Sequence, residues 1–556
     1  MITEIPLDGG KKIKLIFNYN RGLVDEVKAM EGRKWNPEDK TWTVPNTKRN
    51  RLALDIIAGK PVLNKFRQRP DITPITVWDH FNNKEVSLYA HQCEVVHKAR
   101  ITGQHIIAFE MGLGKTLCAF NIVKGHGVYV APKNVMPGIR SMMRQWQPRA
   151  TFDLINYDEF RANWTKYRNV DFIIFDESQK LKNAAAARTQ AALLLCEELR
   201  ERNPSITILL MTGTPAPKNP VDWWAQCEVA FPGYLRESDA KKLTYRLAEI
   251  EQTEGLGGNR FPKFKRWYAD EVSAFYRRLS GLVTVKLKKD CLDLPPKMYQ
   301  ERRLEPSAET LEYAKLIRNT APRAITAMIM LRQLSDGFQY VKMPGEGKTC
   351  HHCNGAGKRI VFAKEVRCDD CDATGILYPE VIEAQEVGSP KDDALRGILE
   401  ECEEKGRIVI YAGYKASVDR CVRIAQGEEW KTIQVDGRGW FLNGSSVDGD
   451  TALELFNTDY ENKYAFIGHP ASAGVGLTLT AADTIVYFSN DFSGEARMQS
   501  EDRIHRIGMK DKALIIDLIH LPIDKYVLTN LQRKKDLQAI SMGELNANLA
   551  SLENSS

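Results

Sequence analysis

No stretch of this 556-residue chain is apolar for the ~20 residues that a membrane-spanning helix needs, so no membrane partner is expected. The opening MITEIPLDGGKKIK lacks the apolar core of a secretory signal, and the protein is expected to stay in the compartment where it is made. Charge of one sign is scarce. There are 78 Lys and Arg against 72 Asp and Glu, and the balance of +6 is well short of a dedicated basic nucleic-acid module. Charge alone therefore decides nothing about partners. The 11 cysteines are odd in number and scattered except for one tight group of four. That argues against a secreted disulfide framework, and a reducing cytoplasm with one metal site fits better. What is present, 43% hydrophobic and 27% charged residues, belongs to a folded globular chain. At ~100–200 residues per domain the length allows about three to five units.

Residues 1–65 read as a small α+β unit. FNYNRGLVDEVKAM predicts a strand and then a helix, and KWNPEDKTWTVP predicts a hairpin, with Trp35, Trp42 and Val44 flanking a polar turn at Pro37, Glu38 and Asp39. Trp35 and Trp42 are expected to build its small core. A Pro-rich polar linker spans 61–76. Apolar strands (HIIAF, GVYVAP, VDFIIFDE, SITILLMTGTP) then alternate with helical stretches, as in a parallel α/β domain over 66–290. The alternation resumes over 291–540 with RIVIYAG, KYAFIG, DTIVYFSND and ALIIDLIH. A Gly- and Cys-rich insertion occupies 345–378, and the polar tail 541–556 is expected to fray.

HIIAFEMGLGKTLCAF places a buried strand, then Gly112-Leu113-Gly114-Lys115-Thr116, then a helix. In that geometry backbone N–H groups and a helix N-terminus hold phosphates, with Lys115 on the outer phosphates and Thr116 on Mg²⁺. Phe109 stands where the general pattern has its first glycine, which leaves an ordinary glycine-rich turn as the alternative. The strand DFIIF ends in Asp176 and Glu177, at the carboxyl edge where ligands bind in such sheets. Asp176 can hold the metal, and Glu177 can polarise a water for in-line attack on a γ-phosphate.

Further segments follow in order: LYAHQ, VAPKN, NYDEF, DESQKLKN, MTGTPAPKNPVDWW, LRQLSDGFQY, ASAGVGLTLTAAD and QSEDRIHRIG. Together with EMGLGKT they resemble, from about residue 85 to 520, the Swi/Snf-type branch of helicase superfamily two. There are departures: Phe109 replaces a usual acid, Ser178 and Gln179 stand where many members have Ala and His, and Pro217 replaces a common Gln. Asn219, Asp222 and Trp224 fall on family positions. The resemblance implies that Gln92 reads the adenine edge and that Gly112, Leu113, Gly114, Lys115 and Thr116 bind ATP. It implies catalytic roles for Lys115, Asp176, Glu177 and Gln499. Arg503 and Arg506 would reach across an interlobe cleft to the nucleotide, making hydrolysis depend on lobe closure. Thr212, Gly213, Thr214, Gly474 and Gly476 would couple the nucleotide to nucleic acid, and Pro132, Lys133, Asn156 and Tyr157 would grip sugar-phosphate.

DES in motif II, Gly-Leu-Thr in motif V and Gln-x-Glu-Asp-Arg in motif VI resemble the annealing-helicase subgroup. Residues 13–55 resemble the HepA-related (HARP) domain found beside such motors. Cys350-x-x-Cys353 and Cys368-x-x-Cys371 form two knuckles suited to one tetrahedral Zn²⁺, and they resemble the Cys-Gly repeat of DnaJ-type zinc domains. His351 and His352 could substitute for a ligand, but one tetrahedral set is already complete. The expectation is thus an α/β protein with two RecA-like helicase lobes, a small α+β N-terminal domain and a zinc-binding insertion. Its cofactors would be ATP, Mg²⁺ and Zn²⁺. Its partners would be double-stranded or forked DNA and replication or repair proteins, and the chain would act as a monomer. It would be cytoplasmic in a bacterial or phage-infected cell and nuclear in a eukaryote. The expected activity is ATP-driven translocation on duplex DNA that remodels or reanneals branches. Protein displacement and strand separation are alternatives, and retention of the catalytic set argues against a degenerate DNA-binding scaffold.

Overall fold

The computed structural model describes residues 2–57, 65–66, 68–213, 219–254, 260–344, 346–361, 364–378, 380–473, 477–506 and 512–533. At the N-terminus four antiparallel strands lie in the order Thr3–Leu7, Lys12–Ile16, Thr41–Pro45, Lys34–Asn36. Alternation along two of them turns Ile13, Leu15 and Val44 inward, against Val27 and Met30 and against Ala53 and Leu54 of the helix Lys48–Ile57. The helix Arg21–Ala29 starts at Asn20, whose side chain accepts a hydrogen bond from the Leu23 N–H at 3.0 Å. The hairpin and its Trp35–Trp42 pairing are present, but Trp35 does not join the core. It is 48% exposed and packs its ring on the half-buried Trp42, with centroids 5.0 Å apart.

Six parallel strands follow in the spatial order Val283–Lys286, Gln104–Phe109, Thr207–Met211, Phe172–Asp176, His126–Ala131, Thr151–Asn156. Their apolar runs are buried on both faces. Ile106, Ala108, Ile173 and Phe175 enter one core, whereas Ile107, Phe109, Phe172 and Ile174 enter the other. The chain crosses to a second sheet within residues 287–296. There Lys297–Arg303, Ala513–Ile519, Thr484–Tyr487, Arg407–Tyr411, Tyr464–Gly468 and Lys431–Asp436 run parallel. Gly439–Leu442 and Ser445–Ser446 add antiparallel edge strands.

Three hairpins carry no strong signal in the sequence: Thr76–Asp79 with Lys84–Ser87, Ala248–Glu254 with Arg260–Trp267, and Phe338–Pro344 with Glu380–Glu386. The last is a stalk that bears the Cys-rich insertion. Its base is pinned by the fully buried Lys391, whose Nζ lies 3.0 Å from Asp336 and 3.5 Å from Asp524 and donates to the Phe488 carbonyl at 2.8 Å.

The N-terminal unit is docked on the first lobe through charge. Glu26 pairs with Arg236, Glu31 pairs with Lys242, and Arg246 donates to the Asp25 carbonyl at 3.1 Å. Beneath this contact the buried Glu237 accepts from Arg278 at 2.9 and 2.6 Å and from Arg246 at 3.1 Å. Neutralising that carboxylate leaves the Arg278 guanidinium uncompensated out of water, whereas Arg246 keeps Glu271 at 3.0 Å. Glu237→Gln should therefore cost about 3–5 kcal/mol of lobe-one stability in denaturant unfolding.

Candidate active site and metal centre

Because the first sheet is parallel, every strand ends at the same edge, and the motif residues gather there. The Gly112–Thr116 loop leaves the strand Gln104–Phe109 and opens the helix Lys115–Ile122. Gly112 and Gly114 adopt φ of 81° and 80°, and a Cβ on Gly114 would lie 2.2 Å from Gln92 Nε2. Gln92 clasps this loop. Its Oε1 accepts from the Tyr89 N–H at 3.0 Å, and its Nε2 donates to the Leu113 carbonyl at 3.1 Å. Beside it opens a cleft of about 600 Å³, lined in part by Tyr89, His91, Glu94 and Lys286, where Tyr89 stacks on His91.

Lys115 Nζ donates to the Phe109 carbonyl at 2.9 Å. Burial pulls the Lys115 ammonium down, Glu177 and Asp176 hold it up, and Arg506 and Arg503 pull it down again. Those arginines come from the second lobe. Arg503 donates to the Leu477 carbonyl and Arg506 to Thr478 Oγ1, at 3.0 and 2.9 Å. Arg506 Cγ lies 3.4 Å from where a Cβ on Gly112 would sit. Burial and then Arg503 push Arg506 down to about 9. Three cations crowded in one site, with Arg503 buried and Lys115 and Arg506 half-buried, are what a polyphosphate would relieve.

Asp176 accepts from the Tyr129 hydroxyl at 3.0 Å and from the Glu177 N–H at 2.9 Å. The Tyr129 hydroxyl also contacts Thr116, so it bridges the two side chains suited to Mg²⁺. Burial, and then the neighbouring Glu177, push the Asp176 carboxyl from 3.8 up to about 7. Glu177 itself sits at φ 50°, ψ 53°, a left-handed conformation costing a residue with a Cβ about 1–2 kcal/mol. Its Oε2 accepts from Gln179 Nε2 at 2.8 Å, and the buried Thr212 donates to Gln179 Oε1 at 2.8 Å. Gly213 packs against Met111.

Lys133 is exposed and Pro132 half-buried at the same edge. Asn156 caps the helix Tyr157–Asn163, accepting from the Asp158 and Glu159 N–H groups. Tyr157 departs from the expected sugar-phosphate contact. It is only 6% exposed, and its hydroxyl donates to the Asp176 carbonyl at 2.8 Å, which makes it a support for the acid strand. Gln499 Nε2 donates to Glu495 at 3.2 Å. Thr214, Gly474 and Gly476 lie outside the described residues. Sequence reasoning missed Tyr129, Glu495 and Lys288. Lys288 pairs with Asp502 at 2.7 Å across the lobes, and its only signal was a lysine next to the lobe crossing.

The four cysteines of the insertion are buried and place their sulfurs within 4.8 Å of one another. The Cys350–Cys368 and Cys353–Cys371 sulfur pairs, at 3.9 and 3.6 Å, straddle the ~3.8 Å edge of a tetrahedron with 2.3 Å Zn–S bonds, so the set fits Zn²⁺. The knuckles are interleaved copies. Gly357 and Gly375 donate to Cys353 and Cys371 sulfurs, both at 3.3 Å. A Cβ on Gly375 would lie 2.1 Å from the Gly355 carbonyl oxygen, and one on Gly357 would lie 2.3 Å from that of Ala373.

Two outcomes follow from this geometry. The raised Asp176 carboxyl stabilises the nucleotide-free fold fully below its unfolded value of 3.8, and that contribution is lost as pH rises through about 7. Mg²⁺ with nucleotide would replace the proton, so the thermal shift on adding Mg²⁺ and ATP should grow between pH 6 and 8, and Asp176→Asn should flatten that dependence. Gly375→Ala should weaken zinc retention at least ~10-fold in chelator competition, given a left-handed penalty of ~1–2 kcal/mol plus the clash, with nucleotide binding unchanged.

The helicase conserved C-terminal domain matches residues 390–508. The ISWI chromatin-remodeling complex ATPase ISW2 of Saccharomyces cerevisiae is 22% identical over 75% of this chain, which spans 36% of that relative's length. The SWI/SNF-related matrix-associated actin-dependent regulator of chromatin subfamily A-like protein 1 homolog of Caenorhabditis elegans is 23% identical over 96% of this chain and 75% of its own. The DNA repair and recombination protein RAD54B of Gallus gallus is 22% identical over 77% of this chain and 50% of its own. Among solved structures, a Sulfolobus solfataricus SWI2/SNF2 ATPase core in complex with dsDNA covers 84% of this chain and 96% of its own. With a TM-score of 0.32 and 16% identity it bears no part of the assignment. Residues 390–508 thus carry a helicase conserved C-terminal domain, and over most of its length the chain is similar to proteins that include a chromatin-remodeling ATPase and a SWI/SNF-related regulator.

Proposed function

We propose that the protein is a DNA-dependent ATPase that translocates on double-stranded DNA and remodels or reanneals branched or forked DNA. The observation that carries this reading is the convergence of Lys115, Asp176 and Glu177 of one lobe with Arg503 and Arg506 of the other. Glu177 takes a proton from the attacking water, Lys115 holds the outer phosphates, and the two arginines stabilise charge developing on the transferred group. Mg²⁺, held by Thr116 and Asp176, would supply Lewis-acid neutralisation of the phosphate oxygens. Lys133 and Pro132 grip the nucleic-acid backbone at the same sheet edge, a contact that positions without reading sequence. Zn²⁺ in the four-thiolate set would be structural.

The branch within the family is argued from extent. The likeness to the C. elegans subfamily A-like protein 1 homolog runs over 96% of the chain, against 75% for ISW2. The N-terminal unit is moreover fixed to lobe one by Glu26, Glu31 and Asp25, as suits a HARP-like element that travels with the motor and presents it to forks.

Hydrolysis should be stimulated more by duplex or forked DNA than by single strands, and the stimulation should fall steeply with salt and depend weakly on base sequence. Lys115→Ala and Glu177→Gln should abolish it, the latter with ATP still bound, and Arg506→Ala should lower turnover ~10³–10⁵-fold. Removing residues 1–65 should spare basal ATPase and reduce strand annealing. Processive unwinding of tailed duplexes with a preference for single strands would replace this reading with that of a strand-separating helicase.

A further inference from the structure

We propose that Glu495 is the lobe-two residue that positions the catalytic base: acting through Gln179, it fixes the carboxylate of Glu177 and so makes hydrolysis follow lobe closure. The proposal rests on the reading of Glu177 given above.

Gln179 is a buried side chain whose amide is fully engaged. Thr212 Oγ1 lies 2.8 Å from its Oε1, while its Nε2 lies 2.8 Å from Glu177 Oε2 and 2.9 Å from Glu495 Oε1. Ionised carboxylates only accept hydrogen bonds, so the atom facing both of them must be the NH₂ group. Chemistry therefore fixes the orientation of the amide, and one nitrogen spends its two hydrogens on two carboxylates, one from each lobe. Gln179 and Glu495 are 316 positions apart in sequence.

Glu495 is itself held in place. It lies in the first turn of the helix Gly494–Glu501, whose cap Ser493 accepts from the Ala496 N–H. One turn on, Gln499 donates to the same Glu495 oxygen that Gln179 reaches. Gln499 thus acts on motif II through Glu495. When the lobes part, Gln179 loses the acceptor for one hydrogen and the amide can turn about its terminal torsion. Glu177, on a left-handed backbone, then loses the donor that holds Oε2. Closure restores the chain of bonds and aims the base.

The test compares Glu495→Ala, Glu495→Gln, Gln179→Ala and the Gln179→Ala/Glu495→Ala double variant, with Glu177→Gln as reference, all in the full chain. Glu495→Ala should lower duplex-stimulated kcat about 10–100-fold, as expected for losing one charge-assisted hydrogen bond. KM for ATP should stay within about twofold, and the thermal shift with Mg²⁺ and ATP should be kept. Glu495→Gln retains an acceptor oxygen and should recover most of kcat, and the double variant should be no slower than Gln179→Ala alone. The proposal is overturned by a Glu495→Ala kcat within twofold of the unmodified protein, by Glu495→Gln as slow as Glu495→Ala, by multiplicative losses in the double variant, or by a loss carried in KM. If Glu177→Gln is inactive while Glu495→Ala is fully active, the relay fails and the active-site reading stands. If Glu177→Gln turns over normally, that reading itself falls, and the relay with it.

Discussion

Arg503 is buried, and with the half-buried Lys115 and Arg506 it gathers cations around a single loop, with Asp176 and Glu177 as the nearby counter-charges. Burial weakens the charged form of each of the three, Arg503 further weakens Arg506, and both arginines weaken Lys115. A polyanion bound among them would offset that cost. Because the cations belong to different lobes, such an anion would also draw the lobes together. Nucleotide binding and domain closure would then be a single electrostatic event seen from two sides.

The chain path sets how far the lobes can separate. Residues 287–296 are the whole crossing, and motif VI is tied to both ends of it: Lys288 and Lys297 share Asp502, while His505 faces the Pro295 carbonyl at 2.7 Å. These contacts are largely buried, and breaking one partner of such a pair is expensive. On another face of the cleft Arg144 meets Asp450 at 3.1 Å in a half-exposed pair, worth at most about 1 kcal/mol. If the lobes part, the unequal strength of these ion pairs favours opening on the Arg144 side with the crossing as hinge.

Much of this was legible in the sequence because it is locally encoded. Apolar runs such as HIIAF and DFIIF could only be strands buried on both faces, and a parallel sheet then delivers Lys115, Lys133, Asp176 and Thr212 to one edge without further information. The paired Cys-x-x-Cys knuckles needed nothing but spacing. What escaped depends on residues distant in sequence. Whether Trp35 is covered depends on which strands flank it, and no periodicity says that the Tyr157 ring turns under the acid strand. Tyr129 reads as one more strand residue until its hydroxyl is seen between Thr116 and Asp176. Glu495 lies just outside the motif that announces the arginines.

The stalk of the insertion has a mechanical meaning. Its strands Phe338–Pro344 and Glu380–Glu386 are seven residues each, so at ~3.4 Å per residue the stalk is about 24 Å long. Its two strands are joined along their whole length, so the insertion enters and leaves lobe two at neighbouring points. To lobe two it is a pendant on a short boom that adds almost no constraint at its root. A module mounted that way can be exchanged, lengthened or lost in the course of evolution while the lobe that carries it keeps its sheet, its hinge and its chemistry.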